Sequence, residues 1–216
     1  MRRRFESQLE QLNEEMIDMG SLCEEAIQCI AETIYSGDMT NLERVSRLEK
    51  DIDKQEREIE NVCLKLLLEQ QPVARDFRQI SATLKMITDL ERIGDQCEDI
   101  AGIVHLLEGR HHVLYDKIGS MANSTSKMVT DAIDAFVKRD VEKATAVQNE
   151  DDVIDRQFTE IRDALITEIH ESPESADVAL DVLMIAKYFE RIGDHAQNIG
   201  EWVVYSLTGE HVSQDD

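Results

Sequence analysis

The chain has 216 residues and a formal net charge of −23, from 46 acidic residues against 23 Lys and Arg. That excess argues against a nucleic-acid partner, since phosphate binding needs a basic face, and it opposes adsorption to an anionic membrane surface. It suits a salty cytosol, where repulsion is screened. Two prolines, nine glycines and 42% hydrophobic residues describe a folded helical chain rather than a disordered acidic tail.

The first helix is expected from Arg2 to Tyr35. Its apolar residues Phe5, Leu9, Leu12, Met16, Met19, Cys23, Ile27, Ile30 and Ile34 step by threes and fours. Ser36-Gly37-Asp38 breaks it, and Thr40 or Asn41 is expected to cap a second helix carried by Leu42, Val45, Leu48, Ile52, Ile59, Val62 and Leu66. Pro72 marks the next turn, because the residue before a proline is pushed out of helical geometry. A third helix follows from about Ala74 to Leu107, and Gly109 to Tyr115 is the longest loop.

The second half repeats the first. Met19–Glu69 lies on Met121–Glu171 without a gap at an offset of 102, pairing Val45 with Val147, Ile52 with Ile154 and Ile59 with Ile161. After a turn containing Pro173 the offset becomes 99. There Met86, Leu90, Ile93, Cys97, Ile100 and Val104 answer Ile185, Phe189, Ile192, Ala196, Ile199 and Val203. Both stripes suit near-parallel helix packing. The expected fold is all-α: two tandem, pseudo-symmetric three-helix bundles over 1–109 and 115–209, with a short acidic tail over 210–216.

The segment Glu91-Arg92-Ile93-Gly94-Asp95 returns unchanged as Glu190-Arg191-Ile192-Gly193-Asp194. Each copy thus sets two acids four apart, on one helix face. Glu49/Asp53 and Asp151/Asp155 form a second repeated pair on the preceding helix of each copy. Composition alone supplies about ten such pairs, so the weight rests on recurrence at equivalent places. Helical phase puts Glu91 and Asp95 away from the main stripe, on the side of Phe77, Ile80, Leu84 and Ile87. The antiparallel second and third helices could then bring four carboxylates together. A cation between them would relieve their repulsion, and all-oxygen ligands suit magnesium, manganese, calcium or ferric iron. The competing reading is a solvated acidic face.

Other features weigh less. Glu108-x-x-His111 matches half of a di-iron motif but falls in a loop with no second copy. His195 is expected at the surface or behind the acids. Arg92 and Arg191 should pair with neighbouring acids. Gly94 and Gly193, each unfavourable in a helix by about 1 kcal/mol against Ala, suggest close helix approach or room for a bound group. Cys23, Cys29, Cys63 and Cys97 lack C-x-x-C spacing and read as buried thiols of a reducing cytosol. Met1-Arg2-Arg3-Arg4 precedes no apolar run, so no signal peptide is expected, and no stretch is long enough to span a membrane. A cytoplasmic location follows. No nucleophile–base pair or phosphate loop is evident, so an enzyme is not expected.

Three segments, Leu90-Glu91-Arg92-Ile93-Gly94-Asp95, Phe189-Glu190-Arg191-Ile192-Gly193-Asp194 and Gln71-Pro72-x-x-x-Asp76-Phe77-Arg78, resemble the signatures of the PhoU family of phosphate-uptake and phosphate-signalling regulators. The resemblance spans nearly the whole chain. It implies multinuclear metal clusters on the bundle surfaces, with iron, manganese, magnesium and zinc not distinguished. The implied ligands are Glu49, Asp53, Glu91, Asp95, Asp151, Asp155, Glu190 and Asp194, with Asp99 and Asn198 as further candidates one turn on. Asp76 and Arg78 are implied in partner contact or structure. The second copy reads Asp177-Val178-Ala179 where the first has Asp76-Phe77-Arg78. The implied role is an adaptor that restrains high-affinity phosphate uptake and starvation signalling. Its implied partners are the ATPase subunit of a phosphate ABC transporter and, where present, a sensor histidine kinase, with peripheral membrane association only through them. A homodimer stays open. The alternatives are a carboxylate-metal phosphatase or oxidase, and a metal-free helical scaffold.

Overall fold

The structure, a computed structural model, describes residues 2–70, 72–107 and 112–210. Among the described residues there are six long helices: α1 (Arg2–Ser36), α2 (Leu42–Gln70), α3 (Ala74–Leu107), α4 (Tyr115–Lys138), α5 (Val141–Glu171) and α6 (Ala176–Thr208). Short 3₁₀ turns, Met39–Asn41 and Pro173–Ser175, precede α2 and α6. Helices α1–α3 form one bundle and α4–α6 the other, and the two join along α3 against α6 and α1 against α4. The expected pair of tandem three-helix bundles is the fold. Glu108-x-x-His111, the first three residues of the expected loop and most of the acidic tail lie outside the described residues.

The repeated stripes make the core. Met19 and Met121, Val45 and Val147, Ile52 and Ile154, and Ile59 and Ile161 are all buried, as is every residue of the two third-helix stripes. Each fully buried Leu, Ile or Met contributes about 2 kcal/mol against exposure, so the matched stripes position the two halves alike. The side of α3 assigned to Phe77, Ile80, Leu84 and Ile87 is less uniform. Ile80 and Ile87 are buried and Leu84 partly so, but Phe77 is 53% exposed.

The turns differ in detail from expectation. Asp38, not Thr40 or Asn41, supplies the cap before α2: its carboxylate accepts from the Thr40 N–H at 3.0 Å. The 3₁₀ turn then runs into α2 without a second cap. At the end of α4, Arg139 adopts the left-handed conformation (φ 56°), its N–H reaching the Ala135 and Phe136 carbonyls. Its counterpart at the 102 offset is Gly37, with φ 71° and its N–H on the Thr33 carbonyl. The repeat keeps the cap and exchanges glycine for arginine.

A pseudo-two-fold relation extends to polar contacts where the bundles meet. Asn198 Nδ2 on α6 donates to Asp89 Oδ1 on α3 at 3.3 Å. The equivalent pair, at the 99 offset, is Tyr188, whose hydroxyl bonds Asp99. The symmetry is broken at His195, whose Nδ1 lies 2.9 Å from Asp89 Oδ1.

Candidate functional site

In each bundle the acid pairs of the second and third helices face one another. The close approach is set by glycine. A β-carbon on Gly94 would stand 3.1 Å from Ile52 Cδ1, and one on Gly193 would stand 3.3 Å from both Ile154 Cγ2 and Asp151 Oδ1. Equivalent glycines thus abut equivalent isoleucines right beside the motif acids, as expected of close helix packing.

Electrostatics show which carboxylates meet. Burial first, then Asp53, Glu98 and Asp95, raises the Glu49 pKa. Glu91 is raised by burial and Asp95, with Glu56 and Asp53 adding and Arg92 opposing. In the second bundle Asp151 is pushed up to about 6 by burial, then by Asp194, Asp155, Glu190 and Asp152. Asp194 is raised by burial and Glu190, against Lys187. Desolvation plus like charge is the condition in which a carboxylate gains most from a cation.

Internal cations answer part of this charge. Arg57 bonds Asp53 at 2.6 Å, and Arg92 bonds Asp95 at 2.8 Å and lies 3.4 Å from Glu91. Lys187 pairs with Glu190 and stands 5.5 Å above the Phe158 ring. Arg92 therefore pairs as expected, whereas Arg191 has no ion pair among the described residues. The two clusters are not copies. The first adds Glu56 and Glu98, whose equivalents are Phe158 and Gln197. Sequence reasoning passed over Glu56 and Glu98, although each follows Glu49 or Glu91 by seven residues, a step that returns to the same helix face.

As the side chains stand, no group of three or more His, Cys, Asp or Glu among the described residues is gathered tightly enough to hold a metal ion. The donor chemistry nevertheless fits a hard cation. Asp151 Oδ1 is enclosed with no hydrogen-bond partner, an acceptor without a donor beside three other acids. The residues that would hold such ions are Glu49, Asp53, Glu91 and Asp95 in one bundle and Asp151, Asp155, Glu190 and Asp194 in the other. Asp99 and Asn198 find their partners across the α3–α6 seam instead, in Tyr188 and Asp89. His195 lies in that seam, not at the open surface. Asp76 and Arg78 stand in the first turns of α3, with the Arg78 guanidinium against Gly209 at the end of α6. All four cysteines are free and buried.

Fold and acids together define a class: tandem three-helix-bundle proteins with a carboxylate cluster on each bundle. The PhoU domain matches residues 16–104 and 118–203. A phosphate-specific transport system accessory protein PhoU homolog from Clostridium acetobutylicum is 37% identical over 100% of this chain and 99% of its own. The crystal structure of PhoU from Pseudomonas aeruginosa superposes with a TM-score of 0.91 at 30% identity, over 95% of this chain and 100% of that one. The phosphate transport system regulatory protein PhoU from Streptococcus pneumoniae gives 0.90 at 26% identity, over 97% and 99%. The chain belongs to the PhoU family. That is a family of regulatory accessory proteins, not of enzymes.

Proposed function

We propose that this protein is an accessory regulator of phosphate transport that restrains high-affinity uptake and starvation signalling through protein contacts. The observation that carries the reading is family membership over both repeats, together with relatives named for that accessory role. The partner is the ATPase subunit of a phosphate ABC transporter, joined by a sensor histidine kinase where the host has one. The protein acts from the cytoplasm. Among the described residues no helix is long and apolar enough to cross a membrane, and the four buried free thiols suit a reducing compartment.

The acid clusters bind metal ions in this reading. Bound there, the ions would offset the crowded negative charge that, with burial, raises Glu49, Glu91, Asp151 and Asp194, with ligands drawn from α2 and α3 in one bundle and from α5 and α6 in the other. The metal is then part of the scaffold that presents the partner surface, with no reacting group attached to it.

The test is genetic and biochemical. Deleting the gene should leave phosphate uptake unrestrained at high phosphate, and the tagged protein should co-purify with the transporter ATPase. Normal control of uptake in a deletion strain without a second copy of the family would overturn the proposal.

A further inference from the structure

We propose that Lys187 is a built-in counter-cation of the second acid cluster that competes with metal there, so that the two bundles bind metal unequally and the first binds it more tightly. The inference rests on the reading that both clusters take metal ions. It adds which bundle fills first and which side chain decides it.

The first observation is the place of the ammonium. Lys187 Nζ on α6 pairs with Glu190 Oε2, and Glu190 is a candidate ligand whose side chain is only 13% exposed. The same charge reaches Asp194, where it opposes the rise caused by burial and Glu190. The ammonium also stands 5.5 Å above the Phe158 ring on α5, within the range at which an aromatic face attracts a cation. An ordinary pair three residues apart on one helix has no second anchor. Here α5 and α6, the two helices that carry the motif acids, hold one cation between them.

The second observation is that the first bundle lacks both halves of this device. At the 99 and 102 offsets Lys187 and Phe158 become Thr88 and Glu56. The Thr88 hydroxyl donates to the Leu84 carbonyl of its own helix at 3.4 Å, so that position brings no charge to Glu91. Glu56 brings charge of the other sign. It is among the acids that, after burial and Asp95, raise Glu91. The cations that the first cluster does hold are guanidiniums at its outside. Arg57, on Asp53, is 69% exposed, and Arg92, on Asp95 and 3.4 Å from Glu91, is 54% exposed. Pairs that open to water bind weakly.

A divalent ion held by Glu190 and Asp194 must displace the ammonium or bind against its repulsion. Either weakens the second site. In the first bundle Glu56 and Glu98 act in the opposite sense, because affinity for a hard cation rises with the number of charged ligands. Both clusters fill at saturating metal, and only the first fills at limiting metal. The first bundle then carries a resident ion, and the second responds to metal supply.

The experiment is a calorimetric titration of metal-free full-length protein with manganese(II) at fixed ionic strength. Wild type should show a tight and a weak class of site, and Glu91→Gln with Asp95→Asn should delete the tight one. Lys187→Gln should tighten the weak class at least about tenfold. Phe158→Leu should tighten it by less, since the ammonium stays but loses its ring. Lys187→Arg keeps the charge and should keep the weak class weak, and Lys138→Gln, at the end of α4, should change neither class. Melting gives a readout that a merely structural lysine would not move. Lys187→Gln should melt lower than wild type without metal and gain more from a fixed manganese concentration. Absence of manganese binding by wild type overturns the metal reading and this proposal with it. Binding by wild type with the weak class unchanged or weakened in Lys187→Gln overturns this proposal alone. So does a single class of equal sites, or loss of the weak class in the Glu91→Gln/Asp95→Asn variant.

Discussion

Asp151 Oδ1 lies 3.3 Å from the point where a β-carbon on Gly193 would stand, and nothing donates a hydrogen bond to it. At the equivalent Gly94 the three nearest atoms all belong to Ile52. Replacing either glycine with alanine gains about 1 kcal/mol of helix propensity and loses a comparable amount to crowding, so both variants should melt close to wild type. They should differ in metal binding. Gly193→Ala displaces a candidate ligand and Gly94→Ala does not. Elemental analysis should find Gly193→Ala depleted in one bundle and Gly94→Ala fully loaded. Equal loading of the two would detach Asp151 from the site.

Asp151 also sets a pH dependence in protein stripped of metal. Its pKa is 3.8 unfolded and about 6 folded. Between those values the folded state holds more protons than the unfolded state, so stability falls as pH rises through the window. The penalty of the buried charge is fully present above about pH 6. Asp151→Asn removes the ionisation, so metal-free Asp151→Asn should melt higher than wild type at pH 7 and show a flatter profile from pH 4 to 6. A profile identical to wild type would show that Asp151 ionises freely.

Two other glycines give opposite signs. Gly102 is exposed within α3 and a β-carbon there meets nothing within 4 Å. Gly102→Ala should stabilise by about 0.5–1 kcal/mol. Gly200 faces the backbone carbonyl oxygen of Ala144 at 3.0 Å, which cannot swing aside, so Gly200→Ala should destabilise by about 1–3 kcal/mol. Paired urea melts decide both, and a stabilised Gly200→Ala would show that α5 and α6 can separate there without cost.

The thiols should be silent. Burial pushes Cys63 up to about 12, with Glu15 and Glu60 adding. Cys23 and Cys97 are raised further by burial. The thiolate is the reactive form, so a thiol reagent at pH 8 should label the native protein only as fast as it unfolds, and all four cysteines at once in denaturant. Rapid native labelling of any one would mean that its helix opens locally.

Single-helix periodicity was enough to read the six helices and their buried stripes, because Met86, Leu90 and Ile93 repeat in phase with Ile185, Phe189 and Ile192. It was enough for the meeting of Glu49/Asp53 with Glu91/Asp95, since a short turn forces α2 and α3 antiparallel. It failed where a side chain is placed by the other bundle. Phase left His195 at the surface or behind the acids and could not supply its partner, which is Asp89 of α3. Phe77 fits an apolar face by phase, yet it stays 53% exposed at the start of α3. Arg139 follows a regular helical stripe; the 102 offset pairs it with Gly37, but only its backbone shows that it keeps the left-handed conformation of that glycine.

The first acid cluster yields the sharpest test of metal binding. Glu91→Gln with Asp95→Asn keeps shape and removes two of the charges around Glu49 and Asp53. If ions bridge these acids, the change abolishes binding in the first bundle, leaves the second loaded, and lowers metal content to roughly half. Melting temperature in the presence of metal then falls, because stabilisation by mass action is lost. If the acids form only a solvated face, the same change relieves repulsion between Glu91, Asp95, Glu56 and Asp53 and is neutral or stabilising. Arg92 loses its partners in either case, but exposed pairs of that kind contribute only about 0.2–1 kcal/mol. Melts with and without metal at fixed salt therefore separate the readings by sign. Unchanged metal content together with a raised melting temperature would remove Glu91 and Asp95 from the site.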